Sequence, residues 1–155
     1  MKRITGMLLG LFVSACSTHH EIKIPKPPCL YPLKHYDFIL CRNFNFVVNE
    51  SDYSIPQGFT TDLASVPRIL WSIYSPSRAE TIPGAIIHDY FYFCPQDMNR
   101  MEADSIFYDA LVLQGLSKGT AFKYWLSVRL FGQSHFNQGA ICHHGYTRTE
   151  NTIGY

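Results

Sequence analysis

Three side chains near the middle of the chain have the residue types and spacing that hydrolytic catalysis needs. His88 and Tyr92 lie one turn apart in a helical pattern, which places their Cβ atoms about 5–6 Å apart on one face. A second helical pattern carries Asp104 and Phe107, and packing Phe107 inward also turns Asp104 toward the core. A histidine base needs a carboxylate that fixes its tautomer and stabilises its charged form. We therefore expect His88 to act as a base that Asp104 orients, with Tyr92 as a hydrogen-bond donor to the carboxylate.

Two further carboxylates, Asp89 and Asp62, are candidate metal ligands. Asp89 points about a quarter turn away from His88 on a helix, so it can hold a cation while His88 activates water. Calcium prefers oxygen ligands such as carboxylates and backbone carbonyls. We therefore expect a calcium ion that polarises a substrate carbonyl. The alternative is a structural role, since a helical histidine beside a carboxylate is often a satisfied part of the core.

Two helices joined by a turn must position these residues. Thr81 is the expected cap of the first helix, which ends near Cys94. Pro95 opens a polar turn, after which Asn99 caps the second helix and Gly115 ends it. A short turn between two helices favours an antiparallel pair.

The flanking segments predict the remaining elements. Ser117 caps a third helix over Lys118–Phe131. Residues 35–49 and 53–61 are rich in β-branched and aromatic side chains and are joined by a turn at residues 50–52. The expected fold is therefore α+β, with a small antiparallel β element followed by about three helices.

Composition limits the classes of function. The chain has 155 residues with 46% hydrophobic content, enough for the core of one domain. A formal charge of +1 and the lack of a basic run give no general attraction to nucleic acid. Aromatic residues make up 15% of the chain. They indicate either a core of large side chains or an aromatic surface that contacts lipid or a partner.

The N-terminus resembles the signal sequence of bacterial lipoproteins. Lys2 and Arg3 precede a short apolar run, Met7–Val13, and the segment Val13–Cys16 matches the lipobox. The resemblance implies cleavage before Cys16 and lipidation of that residue, so residues 1–15 are a signal peptide. Each buried CH₂ group contributes about 0.8 kcal/mol, so several acyl chains make a lasting anchor. The alternative is a plain secretory signal in which the cysteine is incidental.

The resemblance also predicts the location and organisation of the mature chain. Ser17 and not Asp follows the lipidated cysteine, and lipoproteins of this type that lack Asp at this position usually go to the outer membrane. Residues 16–34 are polar and rich in proline, and we expect an extended tether in which His19 and His20 are exposed to solvent. Residues 35–155 form the single globular domain.

Four cysteines remain after Cys16 and are candidate disulfide cysteines: Cys29, Cys41, Cys94 and Cys142. In an exported chain they allow two disulfides and three connectivities. The first two flank an expected hairpin, and the third ends the first helix. The spacing lacks the C-x-x-C pattern of zinc sites, and adjacent His143 and His144 are a weak metal signal.

Four ordered motifs resemble the domain-of-unknown-function family 1353, which is found in bacteria and is common among phages and prophages. They are IPQGFTTDLASVPR (residues 55–68), IIHDYFY (residues 86–92), RMEADSIFYDAL (residues 100–111) and VRLFG (residues 128–132). The family has no established activity.

Part of the second motif is similar to the HDxxY signature of bacterial and fungal secreted phospholipases A2. This resemblance implies that His88 is the base, Asp89 a calcium ligand, Asp104 the residue that orients His88, and Tyr92 a supporting donor. The glycine-rich calcium loop of those enzymes is absent from this chain, and the gap between the histidine and the second aspartate is shorter.

Two classes of function follow. The first is a calcium-assisted hydrolase, anchored to the membrane by its lipid, that acts on phospholipid or another acyl ester at the envelope. The second is a non-catalytic phage- or prophage-linked surface lipoprotein that binds an envelope protein or excludes related phage. A metal phosphohydrolase of the His-Asp type is third, because no upstream histidine lies in a helical pattern.

Overall fold

The structure is a computed structural model that describes residues 19–34, 37–63, 78–95 and 98–136. Within these ranges, six strands precede three helices and a short 3-10 helix. The strands are β1 (Ile22–Lys23), β2 (Leu30–Pro32), β3 (Phe38–Leu40), β4 (Phe44–Val48), β5 (Ser51–Ile55) and β6 (Thr60–Thr61). The helices are α1 (Ile82–Phe93), α2 (Arg100–Leu113) and α3 (Lys118–Phe131), and the 3-10 helix is Gly132–His135. The predicted α+β fold is confirmed.

The strands form two antiparallel sheets of three strands, in the orders β1-β4-β5 and β2-β3-β6. Phe44, Phe46 and Val48 alternate along β4 and are buried, as expected for a strand with one face on the core. Asn49 and Glu50 have φ of 48° and 67°, the two-residue turn whose twist matches an antiparallel hairpin. The turn predicted at residues 50–52 therefore lies one residue earlier, and β5 begins directly after it.

A disulfide between Cys29 and Cys41 closes the hairpin of β2 and β3, with the two Cα atoms 5.4 Å apart. The backbone N–H of Cys41 also donates to the carbonyl of Cys29 at 2.9 Å. Cys94, just after α1, is buried and is disulfide-bonded as well. Cys142 and Cys16 lie outside the described residues.

The N-terminal segment is part of the fold. Ile22 and Lys23 pair with Val48 and Val47, so β1 extends the sheet beyond the edge of β4. His20 is only 5% exposed, and its backbone N–H donates to Asp109 Oδ2 at 2.8 Å. The expectation that His20 is exposed is therefore wrong, and the predicted tether is too long, because the folded structure already includes residue 20.

The helix pair is antiparallel, as predicted. Near the start of α1, Gly84 lies against the end of α2, where an added Cβ would meet Leu111 Cδ2 at 3.3 Å. Further along α1, Tyr92 reaches Asp104 in the first half of α2. The missing side chain at Gly84 lets the two helices approach closely, and this brings His88 opposite Asp104.

The helix starts follow the predicted caps in two of three cases. The Asn99 side chain accepts from the backbone N–H of Glu102 at 3.0 Å, and Ser117 accepts from that of Thr120 at 3.2 Å. Thr81 precedes α1, but its hydroxyl donates to the carbonyl of Arg78 and makes no side-chain cap. In the described part of the chain, no helix is both long and apolar enough to cross a bilayer.

Replacing Cys29 and Cys41 together by Ser should lower the free energy of unfolding by about 3 kcal/mol, because the loop that they close no longer restricts the unfolded chain. Urea unfolding of the two forms measures this difference, and the double variant leaves Cys94 untouched. Equal unfolding midpoints would show that the backbone pairing of β2 with β3 holds this hairpin without the bond.

Candidate active site

His88 lies on the face of α1 that packs against α2. It is 3% exposed, and its ring lies 4.0 Å from the ring centre of Tyr92 and 4.8 Å from that of Phe107. Its Nε2 atom is 2.9 Å from Asp104 Oδ1. Because an ionised carboxylate only accepts hydrogen bonds, Nε2 carries the proton and Nδ1 is the basic nitrogen of the neutral ring.

The other ring nitrogen is the unusual atom of the site. Among the described residues, His88 Nδ1 has no hydrogen-bond partner although it is buried. The nearest carboxylate oxygen in an ion-pair contact with it is Asp89 Oδ1 at 3.9 Å, which is beyond hydrogen-bond reach. Nearly all buried polar groups in proteins are hydrogen-bonded, so a buried unpaired nitrogen needs an explanation.

Asp104 on α2 is fully buried at 0% exposure and is held by side chains of the other two helices, α1 and α3. Its Oδ1 accepts from His88 and from the Tyr92 hydroxyl at 2.6 Å, and its Oδ2 accepts from Arg129 Nη1 at 2.6 Å. Burial of a charge is costly unless hydrogen bonds and an opposite charge offset it. The three predicted catalytic side chains therefore meet as expected, with Arg129 of α3 as a fourth member.

The surroundings shift the pKa values of the pair toward the charged forms. Burial raises the pKa of Asp104, but hydrogen bonds from His88, Tyr92 and Arg129 outweigh it, and the net shift is downward. Burial lowers the pKa of His88, but hydrogen bonding to Asp104 and the charge of Asp89 outweigh it, and the net shift is upward. Burial and the bond to Asp104 raise the pKa of Tyr92, so its hydroxyl remains a neutral donor.

Arg100 links this network to α3. Its Nε donates to the Tyr92 hydroxyl at 3.1 Å, and its Nη2 donates to the carbonyls of Val128 and Arg129 at 2.9 and 2.5 Å. A guanidinium with several fixed donors is suited to such bridging. Sequence reasoning missed Arg100, although its spacing of four residues from Asp104 in a helix was a readable signal. Arg129 had no such signal, because its role depends on how α3 packs.

The predicted metal ligands lie beside the network. The Thr61 hydroxyl donates to Asp89 Oδ2 and accepts from the backbone N–H of Leu63 at 3.0 Å. Leu63 has a φ of 54°, which turns the chain sharply after β6. Asp62 is exposed on this turn. No group of three ligating side chains comes together in the described ranges, so the calcium site stays a prediction. The Cys142–His144 segment lies outside those ranges.

Comparison with known proteins places the site within a family. The model of the family described as Protein of unknown function (DUF1353) matches residues 38–128. The match covers more than half of the chain and includes His88, Asp89, Tyr92 and Asp104. No curated protein and no solved structure matches the chain.

Tyr92→Phe should lower the free energy of unfolding by about 1.5–3 kcal/mol, because it removes a hydrogen bond to a charged acceptor and leaves Arg100 Nε without its partner. Tyr53→Phe is the matched control, since the half-buried Tyr53 ring stacks on Phe46 at 5.2 Å. This control should change the free energy by less than about 0.5 kcal/mol. Similar losses in both variants would mean that the Asp104 contact contributes nothing specific.

Asp104 should also make the protein sensitive to acid. Its pKa lies below the ordinary value of 3.8, so below that pH the unfolded chain binds a proton before the folded chain does. The stability from Asp104 is present above pH 3.8 and is lost as the pH falls through the folded-state pKa. Urea unfolding between about pH 6 and about pH 3 should show a steeper loss for the wild type than for Asp104→Asn. Parallel curves would contradict this assignment.

Proposed function

This chain belongs to the family described as Protein of unknown function (DUF1353), and from that premise we propose that it hydrolyses an acyl ester at the cell envelope with His88 as general base. One observation carries the proposal. A buried histidine is oriented through Nε2 by a buried carboxylate, while its Nδ1 has no hydrogen-bond partner among the described residues. This is the arrangement that a histidine base requires.

The chemistry follows from the two ring nitrogens. Nδ1 takes a proton from water, and the water oxygen forms a bond to the ester carbonyl carbon as the carbonyl electrons move onto oxygen. When the tetrahedral intermediate collapses, the bond to the alcohol oxygen breaks, and the proton on Nδ1 passes to that oxygen. The products are a carboxylic acid and an alcohol, and His88 returns to its neutral form.

Asp104 stabilises the imidazolium that exists between these two steps. The ion pair is expected to form readily, because the pKa of His88 is raised and that of Asp104 is lowered by their contact. Tyr92 and Arg129 position the carboxylate, since each occupies one of its oxygens at 2.6 Å. The four side chains thus divide into one base, one charge-stabilising partner and two positioning residues.

Calcium binding at this site has less structural support than the role of His88 as the base. Asp89 and Asp62 are the proposed ligands, but the Asp89 carboxylate already accepts the Thr61 hydroxyl. Calcium requires six to eight oxygen ligands, and no three ligating side chains come together among the described residues. These residues therefore do not fit the ion by themselves, and no step of the proposed reaction passes through it.

The substrate class follows from the proposed anchor. The lipobox that ends at Cys16 supports lipidation and an envelope location, in which case acyl esters of the membrane are the most abundant substrates within reach. Phospholipid is thus the first ester to test, and a soluble acyl ester is the second.

A non-catalytic surface lipoprotein is the second candidate, and the completeness of the network favours it. Every oxygen of Asp104 and all the bonding nitrogens of Arg100 hold helices together. In a purely structural network every polar atom would be hydrogen-bonded in this way, and His88 Nδ1 is the exception among these atoms. In that case His88 variants would lose stability and no activity would be found.

The test is fatty-acid release from phospholipid vesicles and from a soluble acyl ester, with calcium or with a chelator. His88→Ala should lower the rate about 10²–10⁴-fold, because the general base is lost, and Asp104→Asn should also lower it strongly. His135→Ala is the control, since His135 is exposed on the 3-10 helix and outside the network.

Folding of each variant is verified by thermal unfolding before its rate is interpreted. Unchanged rates in a folded His88→Ala variant, or no release by the wild type with either ester, would reject the hydrolase. Equal rates with calcium and with chelator would remove the metal from the proposal and leave the base in place.

A further inference from the structure

An apolar stripe runs along α3 and faces solvent. Phe122, Leu126 and Leu130 are spaced by four residues, which places them on one face of the helix. They are 50%, 39% and 64% exposed, and Phe131 beside them is also exposed. Scattered exposed apolar residues are ordinary, but a continuous stripe on one element indicates an interaction surface.

The charges of α3 are all of one sign. Lys118, Lys123 and Arg129 lie within the helix, and it contains no acidic residue. Trp125 is half-buried and stacks on Phe122 with the ring centres 5.4 Å apart. Basic side chains next to leucine, phenylalanine and tryptophan are typical of helices that lie in the interface of an anionic bilayer.

The first residue that the structure describes lies beside this helix. His19 lines a cavity of about 390 Å³ together with Lys118, Phe122 and Trp125. The same residue is tied to α2, because its Nδ1 lies 3.3 Å from Asp109 Oδ1, while the next residue, His20, bonds to Oδ2 of that carboxylate. His19 therefore lies next to the stripe, at the end of α3 that carries Phe122.

The number of residues between Cys16 and His19 limits how far the stripe can lie from a bilayer that holds Cys16. Cys16 precedes His19 by three residues, and three residues span at most about 11 Å when extended. Acyl chains on Cys16 would therefore bring the bilayer within about one helix diameter of α3. A long tether would impose no such limit, but most of the segment predicted as tether is folded.

We propose that the stripe Phe122, Leu126 and Leu130 docks on the bilayer that holds the acyl chains of Cys16. This inference rests on the proposed lipidation and not on the proposed hydrolysis. Docking buries the exposed apolar groups in the interface, and Lys118 and Lys123 meet anionic headgroups. The inner side of the same helix supplies Arg129 to Asp104, so the docked surface is packed directly on the candidate active site.

The experiment places Trp125 relative to the lipid. The mature lipidated chain is reconstituted in vesicles that contain phosphatidylglycerol, with Trp71→Phe in every variant so that Trp125 is the only tryptophan, and it is excited selectively at the red edge of the absorption band, where tyrosine does not absorb. Lipids brominated at shallow acyl positions should quench Trp125 more than lipids brominated near the chain ends, because interfacial helices enter about 5–10 Å. Leu130→Glu and Leu126→Glu should lose most of the quenching. Leu33→Glu, which alters an exposed leucine outside α3, should retain it.

Each outcome bears on a different part of the inference. Mass spectrometry of the N-terminal peptide reports whether Cys16 carries acyl groups, and an unmodified Cys16 would overturn the inference together with the anchor. An acylated protein whose Trp125 is not quenched, or is quenched equally in Leu130→Glu, would overturn the docking and leave the anchor. Cross-linking between copies through α3 would identify a second chain as the occupant instead. None of these results depends on ester hydrolysis.

Discussion

The fully buried carboxylate of Asp104 is the constraint on which the arrangement of the helices depends. An ionised group with no access to water must have its charge and its lone pairs satisfied by the protein. Here the partners come from α1 (His88 and Tyr92) and α3 (Arg129), while Asp104 itself lies on α2. All three helices must therefore be in place before the charge is satisfied. Stability and site geometry have the same physical origin in this fold.

That common origin explains why the network alone cannot distinguish catalysis from architecture. Removing any partner of Asp104 weakens both, because one buried group is then left unpaired. The distinguishing atom is His88 Nδ1, which has no hydrogen-bond partner in the described structure and joins no two helices. A structural network gains nothing from an unbonded buried nitrogen, whereas a base must keep one for its proton. The hydrolase hypothesis therefore accounts for the unbonded state of His88 Nδ1, and the structural alternative does not.

Local patterns predicted the central part of the site, and long-range contacts supplied the rest. The helical period placed His88, Tyr92 and Asp104 on facing surfaces, because each position depends only on its own helix. The caps at Asn99 and Ser117 were predictable for the same reason. His20 was assigned to a tether because its polar, proline-rich neighbours are typical of linkers. Its partner Asp109 lies 89 positions away, and no local pattern reports such a pair.

The short link between the proposed lipid and the fold changes what an anchor would do for this protein. A flexible tether of many residues would hold the domain near the membrane in all orientations. Three residues would instead hold one side of the domain, the side of α3, against the lipid. Asp104 lies beneath that helix, and Arg129 links the helix to it. Since His88 is nearly inaccessible, an ester reaches Nδ1 only if a neighbouring group moves. Movement of α3 at the bilayer would act directly on Arg129. The orientation of the domain on the membrane would therefore be coupled to the access of an ester to His88.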